Sequence, residues 1–160
     1  MPVDVFLKLD GIPGESTDSK HKNEIVLQAL SWGASNPGMA AAPGGMGAGK
    51  VQIRDFSFTH HLDKASPKLF QACCTGQHIK EATVTLRHAG KEAQEFLIYR
   101  LKDVLVSSVD IGASEDANQP VESISLQFAE IRMEYRPQKA DGTLDAAIAA
   151  GFDVRQGKTV

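Results

Sequence analysis

Alternation of apolar and polar residues with a period of two runs through most of this 160-residue chain, and it is typical of β-strands with one buried face. Residues 81–89 show it most cleanly, because Ala82, Val84 and Leu86 alternate with charged and hydroxyl side chains. Further strand-like runs lie at 3–9, 24–32, 51–60, 94–106 and 121–135. The pattern predicts a mainly β protein, either a barrel or a sandwich, in a single domain over residues 1–160.

Three of these runs depart from simple alternation. Residues 24–32 are apolar in both phases, which predicts a strand covered on both faces. In residues 51–60 and 121–135, the apolar positions move from one face to the other partway along. A β-bulge near residues 54–55, and another near 129–130, would keep one face inward and is the favoured interpretation. The alternative is that each strand buries its far end against another subunit.

A single short helix is predicted at about 66–75. Ser66 is a favourable N-cap, Pro67 suits the first helical turn, and Gly76 suits the C-terminal stop. The side chains expected to pack on the sheet are Leu69, Phe70 and Cys73.

A long loop is predicted between two of the strands. Residues 25–49 carry no charge, but residues 33–49 contain six glycines and two prolines. Such a segment would leave backbone groups without partners in a bilayer, so it is not a membrane span. We therefore expect a Gly-rich extended loop and no membrane insertion.

The glycines of this loop also come close to a nucleotide-binding motif. Gly44 and Gly49-Lys50 have the spacing of the phosphate-binding P-loop. However, Val51 stands where the motif has Ser or Thr, and a strand-like pattern follows where the motif needs a helix. A glycine-rich hairpin loop is the favoured interpretation, and no nucleotide cofactor is predicted.

No metal site or catalytic residue is predicted either. His60 and His61 are neighbours on a strand, so their side chains point to opposite faces. Cys73, Cys74 and His78 contain zinc-ligand types, but adjacent cysteines lack the spacing of structural zinc sites. Cys73 is interpreted as a core residue, and both cysteines as free thiols typical of a reducing cytoplasm.

Composition narrows the class of partner. With 17 basic and 20 acidic residues, the formal charge is −3, which argues against a nucleic-acid-binding protein. Residues 1–10 contain no apolar signal-peptide core. A β domain without a recognisable site suits a structural subunit that self-associates. The alternatives are a β-barrel that binds a small ligand in its interior and a hydrolase whose site assembles from scattered residues.

Five stretches, taken in this order and spacing, resemble the Hcp family, the haemolysin-coregulated proteins that form the tube of bacterial type VI secretion systems. They read VDVFLKLDGIPGES, GGMGAGKVQIRDFSFTHHLDKASPKLF, TGQHIKEATVTLRHAG, DVLVSSV and YRPQKADG. The resemblance extends over about residues 3–154 and implies two packed β-sheets forming a barrel with one flanking helix. The family is also similar to bacteriophage tail-tube proteins.

The resemblance also implies a function. It implies a homohexameric ring, stacked into a tube inside a contractile sheath and tipped by a spike protein. The tube would be made in the cytoplasm and exported to the medium or a target cell without a signal peptide, as part of bacterial virulence. Effectors could be carried in its lumen. No enzymatic activity and no cofactor are implied.

Two groups of site residues follow from the resemblance. The loop around residues 33–50 would contact a neighbouring ring, through Gly38, Met39, Ala40, Pro43, Gly44, Gly45, Gly47 and Gly49. In the SWG sequence at residues 31–33, Ser31 would face the lumen.

Overall fold

The computed structural model describes residues 2–37, 50–90 and 94–160. Within these residues the chain is mainly β, with one short helix, α1, at Ser66–Thr75. The strands are β1 Val3–Leu9, β2 Ile25–Leu27, β3 Ala29–Ser31, β4 Ala34–Ser35, β5 Gln52–Ile53, β6 Phe56–His61, β7 His78–His88, β8 Gln94–Gly112, β9 Val121–Gln127, β10 Glu130–Tyr135, β11 Ile148–Asp153 and β12 Lys158–Thr159. The predicted fold class is confirmed.

Antiparallel pairing brings the large sheet back to its starting point. From β1 the pairs run to β7, β8, β9, β6 and β3. Strands β2 and β3 are consecutive and separated by Gln28, and β2 pairs with β1. The 25–31 segment therefore joins the two ends of the path and closes the barrel. Strands β10, β11 and β12 extend the sheet beyond it, and β4 and β5 form a second, two-stranded sheet.

Buried apolar side chains from several strands form a core inside the barrel. Leu7, Phe56 and Leu101 from three different strands are fully buried, as are Leu69 and Leu126. Each such side chain contributes about 1.5–3 kcal/mol to the stability of the fold by leaving water. The alternation of apolar and polar residues in the sequence is thus matched by one continuous core.

In 51–60 and in 121–135, the strand is interrupted where the apolar positions move from one face to the other. The predicted bulges at 54–55 and 129–130 are therefore wrong. Residues 54–55 separate β5 from β6, and residues 128–129 separate β9 from β10. The 19-residue β8 is a partner on both sides of the second break, because it pairs with β10 along its first half and with β9 along its second. The partner on the opposite side changes at the break, from β6 for β9 to β11 for β10.

The segment at 24–32 also differs from the prediction of a strand covered on both faces. Ile25 and Leu27 are buried, but Val26 between them is 51% exposed in the subunit. Val26 is therefore open to contact with another molecule, whereas Leu30 and Trp32 in the same phase are partly buried against the core.

Helix α1 has the predicted bounds but a different packed face. Gly76 has φ +68° and ends it in the left-handed conformation, as expected for a C-terminal glycine. The N-cap is Ala65 rather than Ser66, whose hydroxyl instead accepts a hydrogen bond from the backbone N–H of Asp63 at 3.1 Å. Leu69 is buried as predicted, whereas Phe70 is 58% exposed.

Phe70 is exposed because of its angular position around the helix axis. Ser66, Leu69 and Ala72 recur every three residues and form the buried side of the helix. Phe70 follows Leu69 by one residue, which is about 100° around the axis, and so it faces solvent. Cys73 is half-buried and packs at the edge of the core. Within the described residues, no helix is long and apolar enough to cross a bilayer.

Candidate functional site

Short side chains, all of them polar except Ala29, form two rows across four neighbouring strands: β3, β6, β9 and the second half of β8. Strand register sets the rows, because directly paired residues point to the same face of the sheet. The first row is Ser31, Ser57, Ser125 and Ser108. The second row is Ala29, Thr59, Ser123 and Asp110. We call this surface the hydroxyl face.

Local sequence explains why these residues share one face. In β9, Ser123 and Ser125 alternate with Ile124 and Leu126, which are fully buried in the core. Strand β6 follows the same rule, with its phenylalanines inward and its hydroxyl residues outward. Burial of the apolar positions therefore forces every second side chain of these strands onto the opposite surface.

The hydroxyl face is a shallow depression of about 300 Å³. Two of its hydroxyls bond to each other, since the Oγ atoms of Ser57 and Ser125 lie 3.0 Å apart. At its border Ser107 sits at an irregularity in the β8–β9 register and donates to Asp55 Oδ2 at 2.7 Å. The side chains of Ser31 and Ser108 have no hydrogen-bond partner among the described residues. These hydroxyls are free to bind water or another molecule.

Asp110 is the charged side chain among those that line the depression. It is exposed, and it forms no hydrogen bond or ion pair with any residue that the structure describes. Its strand neighbour in the second row is Ser123. Among the described residues that line the depression, the carboxylate of Asp110 is thus the one charged group.

An unpaired strand edge borders the hydroxyl face on each side. Strand β3 pairs with β6 on one side and has no ladder partner on the other within the described residues. Among the described strands, residues 107–112 of β8 pair with β9 alone, because the ladder between β7 and β8 ends at Leu105. Backbone donors and acceptors therefore remain open at both ends of the two rows.

An apolar groove of about 260 Å³ is lined by residues of β4, β5, β10 and β11, together with Trp32 and Val51. Both phase-changed segments contribute to it, through Val51 and Ile53 on one side and Ile131 and Met133 on the other. Phe152 of β11 completes the groove, and Met133 is 38% exposed. The apolar residues that prompted the subunit-contact alternative therefore do share one open surface.

The loop between β1 and β2 carries a dense polar cluster elsewhere on the barrel. The His21 ring stacks on Phe6 with centroids 4.5 Å apart. Its Nδ1 lies 3.0 Å from the carboxylate of Glu24, and its Nε2 lies 2.7 Å from that of Glu95. These contacts attach the loop to the outer surface of the sheet.

Arg87 of β7 holds the same loop through Asp18. Its Nη1 donates to Asp18 Oδ2 at 2.9 Å, and its guanidinium lies 4.8 Å from the centre of the Phe6 ring. The hydrogen bonds from Arg87 lower the pKa of Asp18 to about 2. In return, those hydrogen bonds raise the pKa of Arg87. We call Asp18, His21, Glu24, Arg87 and Glu95 the strap cluster.

One further ionisable pair is buried in the core. His60 Nε2 and Glu122 Oε2 lie 3.0 Å apart, and both side chains are fully buried. His61 is exposed and bonds to Gln28, so the two histidines do lie on opposite faces. In residues 2–37, 50–90 and 94–160, no three His, Cys, Asp or Glu side chains are grouped to hold a metal ion.

The predicted lumen residue and the predicted stacking loop have different outcomes. Ser31 is exposed and begins the first row of the hydroxyl face. The stacking residues Gly38, Met39, Ala40, Pro43, Gly44, Gly45, Gly47 and Gly49 lie outside the described residues, as does the P-loop-like spacing. Their role stays a prediction.

Sequence reasoning did not identify the other members of the hydroxyl face. A signal was present, since hydroxyl or acidic residues recur two apart at 57/59, 108/110 and 123/125, each time around a buried or half-buried apolar residue. Nothing in one strand shows that these pairs are neighbours, because cross-strand register joins residues far apart in the chain.

Comparison with known proteins agrees with this architecture. Residues 6–135 match a family described as type VI secretion system effector, Hcp. The chain belongs to the Hcp family. It is 46% identical to protein Hcp1 of Pseudomonas aeruginosa over 158 residues, which are 98% of each chain. The resemblance found in the sequence is therefore confirmed.

Solved structures of Hcp proteins also share the fold. The crystal structure of Hcp1 from Salmonella typhimurium superposes with a TM-score of 0.80 at 34% identity, over 100% of both chains. A structure described as a type six secretion system protein gives a TM-score of 0.93 at 31% identity, over 99% of this chain and 100% of the other.

Proposed function

We propose that this Hcp chain is a structural subunit of the inner tube of a type VI secretion system. Six copies close into a ring, rings stack into a tube, and the hydroxyl face lines the channel. The tube is made in the cytoplasm, is exported from the cell, and carries effectors in its lumen. Its other partners are the contractile sheath and the spike-tip protein.

The observation that carries this proposal is the position of the hydroxyl face between two unpaired strand edges. Open edges are avoided in proteins that stay monomeric, because they template pairing with another chain. Pairing β3 of one copy with residues 107–112 of β8 of the next would satisfy both edges. Such a contact joins two different surfaces, so repeated copies generate a closed ring when the rotation allows it.

The side chains of the hydroxyl face support its assignment to the channel wall. They are short and polar, so a wall built from them is hydrated and leaves room for a passing protein. The bulky apolar residues of the same strands point into the subunit core. The apolar groove is lined by other residues, and we infer that it supplies a second contact between subunits.

Native mass spectrometry tests the assembly. The expected species is a hexamer of about 103 kDa, six times 17.2 kDa. Negative-stain images should show rings with an open centre. A monomer at micromolar concentration would overturn the proposal.

Cysteine cross-linking tests the joined edges. In a background of Cys73→Ala and Cys74→Ala, the double variant Ser31→Cys/Ser108→Cys places one thiol beside each open edge. If the first row continues from one copy to the next, oxidation should give a ladder of products up to six chains, because Cβ atoms of paired residues lie about 4.5–5.5 Å apart. Each single-cysteine variant is the control and should give no ladder. A ladder from the single variants, or none from the double variant in intact rings, would contradict this edge pairing.

Shortening the loop tests the stacking role proposed for residues 38–49. Removing residues 39–47 should leave the hexamer intact in gel filtration and abolish export, measured by immunoblot of the culture supernatant. Small residues lose little side-chain entropy on docking, which suits a contact repeated around a ring. Normal export after the deletion would refute the role, and loss of the hexamer would place the loop in the lateral contact instead.

A further inference from the structure

The charge on the hydroxyl face is unbalanced in a way that the tube architecture alone does not require. We propose that this face favours cargo proteins with basic surfaces, and that Asp110 sets the preference. This inference rests on the proposed function, since it takes the hydroxyl face as the channel wall.

The hydroxyl groups themselves cannot set a preference for the sign of the cargo's charge. Serine and threonine hydroxyls both donate and accept hydrogen bonds, so they bind carboxylates and ammonium groups alike. Asp110 accepts but does not donate when ionised, and it repels a carboxylate. It is therefore the one lining residue of this depression that distinguishes a basic from an acidic surface.

Asp110 is available for such a contact. Its side chain is exposed and has no basic partner among the described residues. Asp18, by contrast, is already paired with Arg87. An unpaired carboxylate loses no intramolecular ion pair when it binds a lysine or arginine of the cargo.

Assembly multiplies the effect. A ring of six subunits would present a circle of six Asp110 carboxylates facing the same enclosed volume. A single exposed ion pair contributes little, but several contacts made at once by one bound molecule reinforce one another. Charges of one sign lining a cleft also concentrate molecules of the opposite sign within it.

The test uses labelled peptides and assembled rings. One dodecapeptide alternates lysine with serine, and the other alternates glutamate with serine. Binding is measured by fluorescence anisotropy in about 20 mM NaCl and in about 300 mM NaCl, where charge attraction is largely screened. The variants are Asp110→Asn, which keeps the side-chain shape, and Asp110→Ser, which continues the row of hydroxyls.

Wild-type rings should bind the lysine peptide more tightly than the glutamate peptide in low salt. Asp110→Asn and Asp110→Ser should each weaken lysine-peptide binding by about tenfold and reduce the preference for it. Asp116→Asn is the matched control, since it removes the same charge from an exposed loop outside the depression. It should change binding by less than about twofold.

Native mass spectrometry of every variant separates the possible failures. Intact wild-type rings with equal binding of both peptides would overturn the inference and leave the proposed tube standing. Equal losses in Asp110→Asn and Asp116→Asn would also overturn it, because net charge alone would then explain binding. A monomeric wild type would overturn the proposed function, and this inference with it.

Discussion

The hydroxyl face and the strap cluster are both polar surfaces of one barrel, but their side chains are used in opposite ways. In the strap cluster, ionic side chains contact one another: Arg87 binds Asp18, and His21 lies between Glu24 and Glu95. On the hydroxyl face, the side chains of Ser31 and Asp110 have no partner within the described part of the chain. Polar groups with internal partners stabilise the subunit, whereas polar groups left open are available to another molecule.

The largest expected effect comes from breaking the strap cluster at its centre. Arg87→Ala should lower the free energy of unfolding by about 1–2 kcal/mol, because Asp18 keeps only the backbone N–H groups of Lys20 and His21 as donors and the Phe6 ring is uncovered. Guanidinium unfolding at a fixed protomer concentration measures this loss. Ser123→Ala on the hydroxyl face is the control and should cost less than about 0.5 kcal/mol. Equal costs would erase the distinction between the two surfaces.

A smaller effect is expected from acid, and its direction follows from Asp18. Its pKa in the folded protein is about 2, below the ordinary value of 3.8. The ionised carboxylate therefore stabilises the fold above about pH 4, and this contribution is lost as the pH falls towards 2. Asp18→Asn should be less stable than the wild type at pH 5, and the gap should narrow on acidification. Unfolding curves between pH 5 and pH 2 measure it, and a gap that stays constant would contradict the assignment.

The smallest effects should occur within the hydroxyl face itself. Ser57→Ala removes the 3.0 Å bond to Ser125 and should cost about 0.5–1 kcal/mol. Ser31→Ala removes no bond within the described subunit and should cost less than about 0.5 kcal/mol. Thermal unfolding of both variants, with the hexamer monitored by gel filtration, measures these two losses of stability. A larger loss for Ser31→Ala in intact rings would show that Ser31 bonds across the subunit contact.

The helix illustrates how far local sequence signals reach. Gly76 ends α1 where predicted, because only residues that tolerate positive φ favour that conformation. The buried side of the helix was harder to predict from the sequence, because Leu69 and Phe70 are both apolar and adjacent. The sheet beneath selected the side that carries Ser66, Leu69 and Ala72. Tertiary packing thus decided between two faces that the sequence left nearly equivalent.

The residues of the hydroxyl face were even harder to predict from the sequence than the buried side of the helix. Ser31 was predicted from the family resemblance, and Asp110 was not predicted at all. The pairs at 57/59, 108/110 and 123/125 are ordinary for strands with one exposed face. They become a surface only when β6, β8 and β9 are placed side by side.

The sequence alone was enough to predict most of the longer strands, the position of the helix and the family, because period-two burial, cap residues and family motifs are local properties of the chain. It did not predict β4, which lies within the expected loop, or β11 and β12. The sequence also indicated which side of each regular strand faces the core, because the hydrophobic effect favours burial of the apolar side. Only the tertiary structure decided that β8 pairs with two successive strands and that residues 31, 57, 125 and 108 stand in one row. Those facts depend on register between strands distant in sequence, and register is set by the packing of the whole core rather than by any one segment.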